Sequence, residues 1–294
     1  MNTNGDSWKY SSHKFEYEGK YADSLRPWAG HKDFAYDLVF NIRPRVIVEL
    51  GTEKGTSLFS FSQAVKDLSL KTDIYAIDTW EGDEHAGYYG EEVYALVKDI
   101  KETYYPKQNI MLKRELFDEA LRDFANGSID VLHIDGLHTY GAVKHDFESW
   151  LPKLREDGII LFHDIAVKRS GFGVYKLWAD LKNKYGTISF MHSNGLGVLL
   201  LNKNRYQGIM GLESSIKGFY EKLGEINDLK EKIKLLESGT EQLESLNMTL
   251  QKECEIKQET IKELEVKLRS IYASRVWRAR NMIVSIIRKK HTES

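Results

Sequence analysis

One cysteine, Cys254, stands in 294 residues, so no internal disulfide framework is available. No apolar run approaches the roughly 20 residues that a membrane span needs. The opening segment, MNTNGDSWKYSS, is polar and has no signal-peptide core. Neither sign of charge dominates. The 42 basic and 44 acidic residues give a net charge of −2 and a pI near 6.5, which argues against wholesale nucleic-acid binding. A cytoplasmic protein is the expectation these absences leave. Two phosphate-binding signatures are missing too. The turn after the first strand does not have the spacing of Gly-x-Gly-x-x-Gly, and no Gly-Lys-Ser/Thr of a P-loop follows it.

What is present is an alternation. Strands are predicted at Val46–Leu50, Asp73–Asp78, Ile110–Arg114, Ile129–Asp135 and Gly158–His163. Helical patterns lie between them, at Thr56 onward, Glu91–Tyr105, Phe117–Phe124 and Tyr140–Leu154, with another at Val174–Tyr185. His31–Ile42 reads as a helix that Pro44 ends. Ile188–His192 and Gly197–Asn202 are expected to pair as a hairpin around Ser193-Asn194-Gly195. This spacing predicts an α/β fold with a mostly parallel sheet and helices on both faces. The aromatic, polar residues 1–30, with Trp8, Tyr10, Phe15, Tyr17, Tyr21 and Trp28, read as a cap or lead-in to a domain over 31–205.

The segment VIVELGTEKGTS, Val46–Ser57, carries the most information. A buried parallel strand ends in Glu49, turns through Gly51 and Gly55, and enters a helix. Glycine at both positions lets backbone approach a ligand closely. The free N–H groups of the helix start favour a carboxylate or phosphate. An acid just before the turn suits a cationic or hydroxyl-bearing part of the ligand. Glu49-Leu50-Gly51-Thr52-Glu53-Lys54-Gly55-Thr56-Ser57 resembles motif I of the class I S-adenosylmethionine-dependent methyltransferases. The resemblance implies a Rossmann-like sheet of seven strands with an antiparallel last strand. It also implies S-adenosylmethionine as donor, held by Glu49, Gly51, Thr52, Gly55 and Ser57. Asp78, at the end of the second strand and 29 residues after Glu49, would take the ribose hydroxyls. Trp80 and the EGDEHAGYYG loop after it would stack on or cover the adenine, with Asp83, Glu84 and His85 as possible acceptor contacts.

A second group follows the fourth and fifth strands. Asp135 and His138 lie past the end of one, and His163 and Asp164 at the end of the other. The run I-D-G-x-H-x-Y-x-x-V-x-x-D, followed by G-I-I-x-F-H-D, is similar to a methyltransferase subgroup related to catechol-type and macrocin-type O-methyltransferases. In metal-dependent relatives, acids at the positions of Asp135 and Asp164 bind a divalent cation. Mg²⁺ there would hold an acceptor hydroxyl and lower its pKa. The catechol type has asparagine after the second acid, where this chain has Ile165. His138 or His163 could supply the missing ligand and would favour a softer metal. Without a metal, His138 and His163 are the candidate bases. His133 reads as a core residue, His145 and Asp146 as structural, and Tyr140 as lining the acceptor pocket. The expected reaction is O-methylation of a hydroxyl, with a sugar or surface glycan as acceptor. The rival readings are a catalytically inactive scaffold working through its coiled coil, and a nucleotide-sugar oxidoreductase. Against the oxidoreductase, the third glycine is missing and no Tyr-x-x-x-Lys pair stands where that chemistry would need it.

From about Gly211 the pattern changes. Ile226, Leu229, Ile233, Leu236, Leu243, Leu246, Leu250, Ile261, Leu264, Leu268 and Ile271 recur at three- and four-residue steps among Glu and Lys. This predicts a coiled coil over 212–272, with a break near Gly239-Thr240, and hence a homo-oligomer. Cys254 lies near the seam as a packing residue. The tail, 273–294, mixes Arg275, Arg278, Arg280, Arg288, Lys289 and Lys290 with Trp277, Met282, Ile283, Val284, Ile286 and Ile287. A basic amphipathic helix of this kind suits an anionic membrane surface, here the inner face, or an acidic partner.

Overall fold

The β-branched run Val46-Ile47-Val48 opens the first strand, β1 (Val46–Leu50), an interior strand of a seven-stranded sheet. The computed structural model describes residues 8–18, 27–85, 87–211 and 213–292. Tyr21 lies outside the described residues. After β1 come α2 (Thr56–Asp67), β2 (Asp73–Ile77), α3 (Glu91–Tyr104) and β3 (Asn109–Lys113). They are followed by α4 (Phe117–Ala120), β4 (Ile129–Ile134), α5 (Tyr140–Trp150), β5 (Leu154–His163) and α6 (Val174–Leu181). Helix α1 (Lys32–Ile42) precedes β1, and the hairpin β6 (Gly186–Phe190) and β7 (Leu196–Leu200) closes the sheet.

The strand order is β3-β2-β1-β4-β5-β7-β6, parallel from β3 to β5. The last strand, β7, runs antiparallel to both of its neighbours, β5 and β6. This is the Rossmann-like methyltransferase sheet expected from the sequence. Alternate side chains of each strand go to opposite faces. Ile47, Ile74, Val131 and Ile159 pack with Phe34, Val39, Leu58 and Phe61. Val48, Leu132, Ile160 and Phe162 pack with Phe147, Trp150, Leu177 and Trp178. Both faces are therefore covered, as a parallel sheet requires. The order reverses between β1 and β4, so the loops from their carboxyl ends diverge and leave a crevice.

The lead-in residue Trp8 is buried against Phe34 and donates its indole N–H to Tyr220 Oη at 2.9 Å. Tyr220 belongs to α8 (Glu213–Ala273), which follows the short α7 (Gln207–Gly211). The first turns of α8 are part of the domain. Ile216 and Tyr220 are buried, and a Cβ on Gly224 would meet the His192 ring at 2.3 Å. The expected break at Gly239-Thr240 is absent, because the helix runs through both residues. An interior glycine costs only about 1 kcal/mol against alanine, and Thr240 Oγ1 donates back to the Leu236 carbonyl at 2.8 Å. Residues 1–234 and 235–294 form two separate units. The second contains the rest of α8 and α9 (Arg275–Thr292), whose N-terminus Ser274 caps by accepting from Trp277 N. Among the described residues no helix is long and apolar enough to cross a membrane.

Candidate functional site

The loops from the carboxyl ends of β1, β2, β4 and β5 enclose a cavity of about 420 Å³. On one side lies the glycine turn. Gly51 and Gly55 both have positive φ, 86° and 82°. The reason for Gly51 is packing between loops. A Cβ there would lie 2.1 Å from the carbonyl oxygen of Asp135, the first residue past β4. At Gly55 a Cβ would press into the Phe59 ring at 2.7 Å. Gly55 caps α2, so the first N–H groups of that helix, with Thr56 and Ser57, border the cavity.

The two acids of this side act mainly on the turn itself. Asp78 Oδ2 accepts from the backbone N–H of Thr52 at 2.8 Å and of Glu53 at 2.9 Å, and Oδ1 accepts from Trp80 N at 2.7 Å. Asp78 also lines the cavity. Glu49 does not, and this corrects its expected contact with a ligand amine. Its carboxylate is fully buried, accepting from Thr52 Oγ1 at 2.9 Å and lying 3.0 Å from His133 Nδ1. Trp28 Nε1 donates to His133 Nε2 at 2.9 Å, so the hydrogen of His133 sits on Nδ1 and points at Glu49. Glu49 and His133 thus brace the turn from below. Trp80 is a second correction. Its indole is buried, donates to the Glu53 carbonyl at 2.9 Å and packs edge-on against Tyr94, so it does not line the cavity.

Facing the turn are Asp135, His138, His163 and Asp164, all on the cavity wall. His138 Nε2 lies 2.7 Å from Asp164 Oδ2 and 3.5 Å from Asp135 Oδ1. His163 Nδ1 lies 3.2 Å from Asp135 Oδ1. Its Nε2 donates to the Ser193 carbonyl at 3.2 Å, an oxygen that His31 Nε2 shares. Burial works against the charge on both rings, but the two carboxylates outweigh it. His138 is pushed up to about 10, and His163 is raised. Burial likewise opposes ionisation of Asp135, yet His163 and His138 hold it well below the usual carboxylate range. Asp135 and Asp164 therefore hold His138 protonated at neutral pH, and the same two carboxylates favour the protonated form of His163. In that state His138 carries a proton on Nε2 that it would have to release before serving as the expected base. His31, buried and beside His163 and His192, is shifted well down and stays neutral.

One oxygen is left over. Asp164 Oδ1 is buried and has no hydrogen-bond partner among the described residues, and the same holds for His138 Nδ1. Asp164 also has φ of 62°, an unusual backbone state for aspartate that places this carboxylate at the cavity. One atom each from Asp135, His138 and Asp164 lie within 4.8 Å of one another. Two carboxylates, one of them with an unpartnered buried oxygen, and an imidazole nitrogen fit a divalent cation.

Other expected contacts fall elsewhere. Tyr140 is partly exposed, bonds Asp180 and does not line the cavity. His145 is exposed and paired with Asp118. His85 packs on Phe172, and Asp83 reaches the wall. Trp28, Phe117, Arg169, Phe172 and Asn194 line the cavity without having been singled out for it. The Phe172 ring stacks on His138 at 4.8 Å and carries the Arg169 guanidinium at 4.1 Å. Spacing around the first four strand ends could not reveal them, because Trp28 comes from the lead-in, Phe117 from the start of α4, Arg169 and Phe172 from the segment before α6, and Asn194 from the hairpin.

Asp146, on α5 beneath Gly136, has an acid–base consequence of its own. Burial pushes its carboxyl up to about 7, with His145 lowering it and Asp118 raising it. A folded pKa above the unfolded value means the native state favours the protonated form. That stability is fully present below about pH 4 and is lost as pH rises through 7. Asp146→Asn should therefore match the parent near pH 4 and exceed it by up to about 4 kcal/mol at pH 8. Urea unfolding at the two pH values measures this; an equal difference at both would remove the assigned cause.

Residues 48–165 match the family model described as a methyltransferase domain. The motifs around Glu49 and Asp135 that carry the resemblance to methyltransferases both lie within the matched segment. Over 194 residues, 66% of this chain, the sequence is 43% identical to the uncharacterized protein y4gI of Sinorhizobium fredii (strain NBRC 101917 / NGR234). The chain spans about a fifth of that protein's length, 21%. Similar solved structures include a provisionally assigned caffeoyl-CoA O-methyltransferase from Staphylococcus aureus, at 16% identity and TM-score 0.49, covering 64% of this chain and 92% of that one. Another is the O-methyltransferase from Bacillus cereus in complex with SAH, at 15% identity and TM-score 0.46, covering 62% and 84%.

Proposed function

We propose that this chain transfers the methyl group of S-adenosylmethionine to a hydroxyl oxygen of a sugar. The observation that supports it is the meeting of two chemistries in one cavity: the glycine turn with Asp78 and the α2 N-terminus on one wall, and Asp135, His138, His163 and Asp164 on the other. The α2 N-terminus beside the turn supplies backbone N–H groups for the donor's carboxylate. Asp78 holds the turn and has a lone pair on Oδ1 for the ribose. In the reaction the S–CH₃ bond breaks as the O–CH₃ bond forms, giving S-adenosylhomocysteine and a methyl ether. The acceptor's proton leaves towards the acidic wall. There Asp164 Oδ1 is the oxygen with room for a hydrogen bond from the acceptor hydroxyl. His138 and His163 bridge the two carboxylates and fix their orientation. A divalent cation on Asp135, Asp164 and His138 would replace the proton on His138 and would polarise the acceptor oxygen and lower its pKa. The sugar reading draws on the hydrogen-bonding groups at the cavity wall, Arg169 and Asn194.

Calorimetric titration with S-adenosylmethionine, with NAD as control and with and without Mn²⁺ or Mg²⁺, tests the donor. Micromolar binding of S-adenosylmethionine alone is expected. A folded, ligand-free sample that binds none would favour the scaffold reading. Transfer of labelled methyl to a panel of glycans, nucleotide sugars and catechols tests the acceptor; labelling of catechols only would overturn the sugar.

A further inference from the structure

The unbroken course of α8 through Gly239 has a consequence for how the helix pairs. Without a break, one heptad frame runs from Ile226 to Ser274, seven heptads in all. Its a positions are Ile226, Ile233, Thr240, Asn247, Cys254, Ile261 and Leu268. Its d positions are Leu229, Leu236, Leu243, Leu250, Lys257, Leu264 and Ile271. Ten of these fourteen are aliphatic, and each of the ten is between 47% and 70% exposed in the single chain. Such a stripe needs a partner helix.

We propose that the partner is a second copy of this chain, and that the two α8 helices form a parallel, in-register, two-stranded coiled coil over 226–271. Three features carry this. First, isoleucine concentrates at a and leucine at d, with Ile226, Ile233 and Ile261 against Leu229, Leu236, Leu243, Leu250 and Leu264. That distribution favours two parallel strands, where a packs on a′ and d on d′. Second, Asn247 occupies an a position. In a parallel pair it meets the other Asn247 and the two amides bond each other. In a fully overlapping antiparallel pair, a faces d′, and Asn247 would sit against Leu250 with its amide unpaired. Third, the flanking g and e′ charges agree with the parallel register. Glu225 faces Lys230′ and Lys232 faces Glu237′. The other five pairs, Gly239–Glu244′, Leu246–Gln251′, Glu253–Gln258′, Thr260–Glu265′ and Lys267–Tyr272′, contain no like-charge contact. Register also brings Cys254 against its own counterpart. Both copies of the basic helix α9 then leave the same end of the coil.

Sedimentation equilibrium of the full chain should give a dimer at micromolar concentration; a monomer, or a trimer or tetramer, would overturn the proposal. Mild oxidation should link the chains through Cys254. In a Cys254→Ser background, Leu236→Cys and Leu264→Cys should each link to themselves, since both are d positions at opposite halves of the coil. A dimer in which neither links is antiparallel, and the proposal fails. Asn247→Ile should raise the melting temperature of the coil and broaden the mass distribution beyond two strands. An unchanged melting temperature would take Asn247 out of the seam and refute the frame.

Discussion

Gly51→Ala should weaken S-adenosylmethionine binding by at least about 100-fold while leaving a folded protein. Two independent costs act at this position. The backbone is held at φ of 86°, where an L side chain is disfavoured by about 1–2 kcal/mol. The new Cβ would also lie 2.1 Å from the Asp135 carbonyl oxygen and 2.7 Å from its carbon. Those atoms are backbone. They are tied in place because Asp135 N donates to the Leu50 carbonyl at 2.8 Å. Relief therefore requires the β1 and β4 loops to part, which separates the two walls of the cavity. A total of about 3 kcal/mol corresponds to two powers of ten in affinity. On a domain of this size it is also a drop of about 6–12 °C in Tm. Gly141→Ala is the control. No atom lies within 4 Å of its Cβ, and its backbone is helical, so it should be silent or slightly stabilising. Calorimetry and thermal unfolding of both variants decide it; unaltered donor affinity in Gly51→Ala would sink the placement of the donor at this turn.

The second large effect is expected at Asp164. Asp164→Ala should keep donor affinity within about threefold and lower turnover by about 10²–10⁴-fold, the range for loss of a positioned proton-transfer group. The reasoning rests on the buried, unpartnered Oδ1 and on the contact of Oδ2 with His138 at 2.7 Å. Asn is the informative companion, since it tolerates the left-handed backbone that Asp164 adopts. If the carboxylate matters for its charge, Asp164→Asn loses turnover as the alanine variant does. A second reading does not depend on activity. Asp164 is one of the two carboxylates that raise His138, so either variant should lower the His138 pKa in an NMR titration. Full turnover in Asp164→Ala would remove the acidic wall from the reaction.

Much of the site can be read from strand ends. Gly51, Asp78, Asp135 and Asp164 each fall at or just past a run of β-branched or aliphatic residues, and a parallel sheet delivers all such positions to one edge. The roles of the acids were less legible. Glu49 and Asp78 share a charge and each lies within one residue of a strand end, yet one lies beneath the turn and the other opens onto the cavity. Their hydrogen-bond partners separate them, and Thr52, His133 and Trp80 come from three different segments. The same applies to His138 and His163. Titrating near neutrality in isolation, both are shifted upward here because Asp135 and Asp164 arrive beside them from two strands.

By itself the sequence determined the alternation of strands and helices, the two motif-bearing turns, and the heptad stripe of the long helix. Each is a local pattern, set by side-chain periodicity along one segment. Only the tertiary structure decided which carboxylates face the cavity, that Trp80 is buried, that Trp28 and Phe172 form part of the wall, and that α8 begins inside the domain. Those outcomes depend on contacts between residues far apart in the chain. Hydrogen bonding and burial are settled by what arrives from elsewhere, and periodicity along one segment carries no record of it.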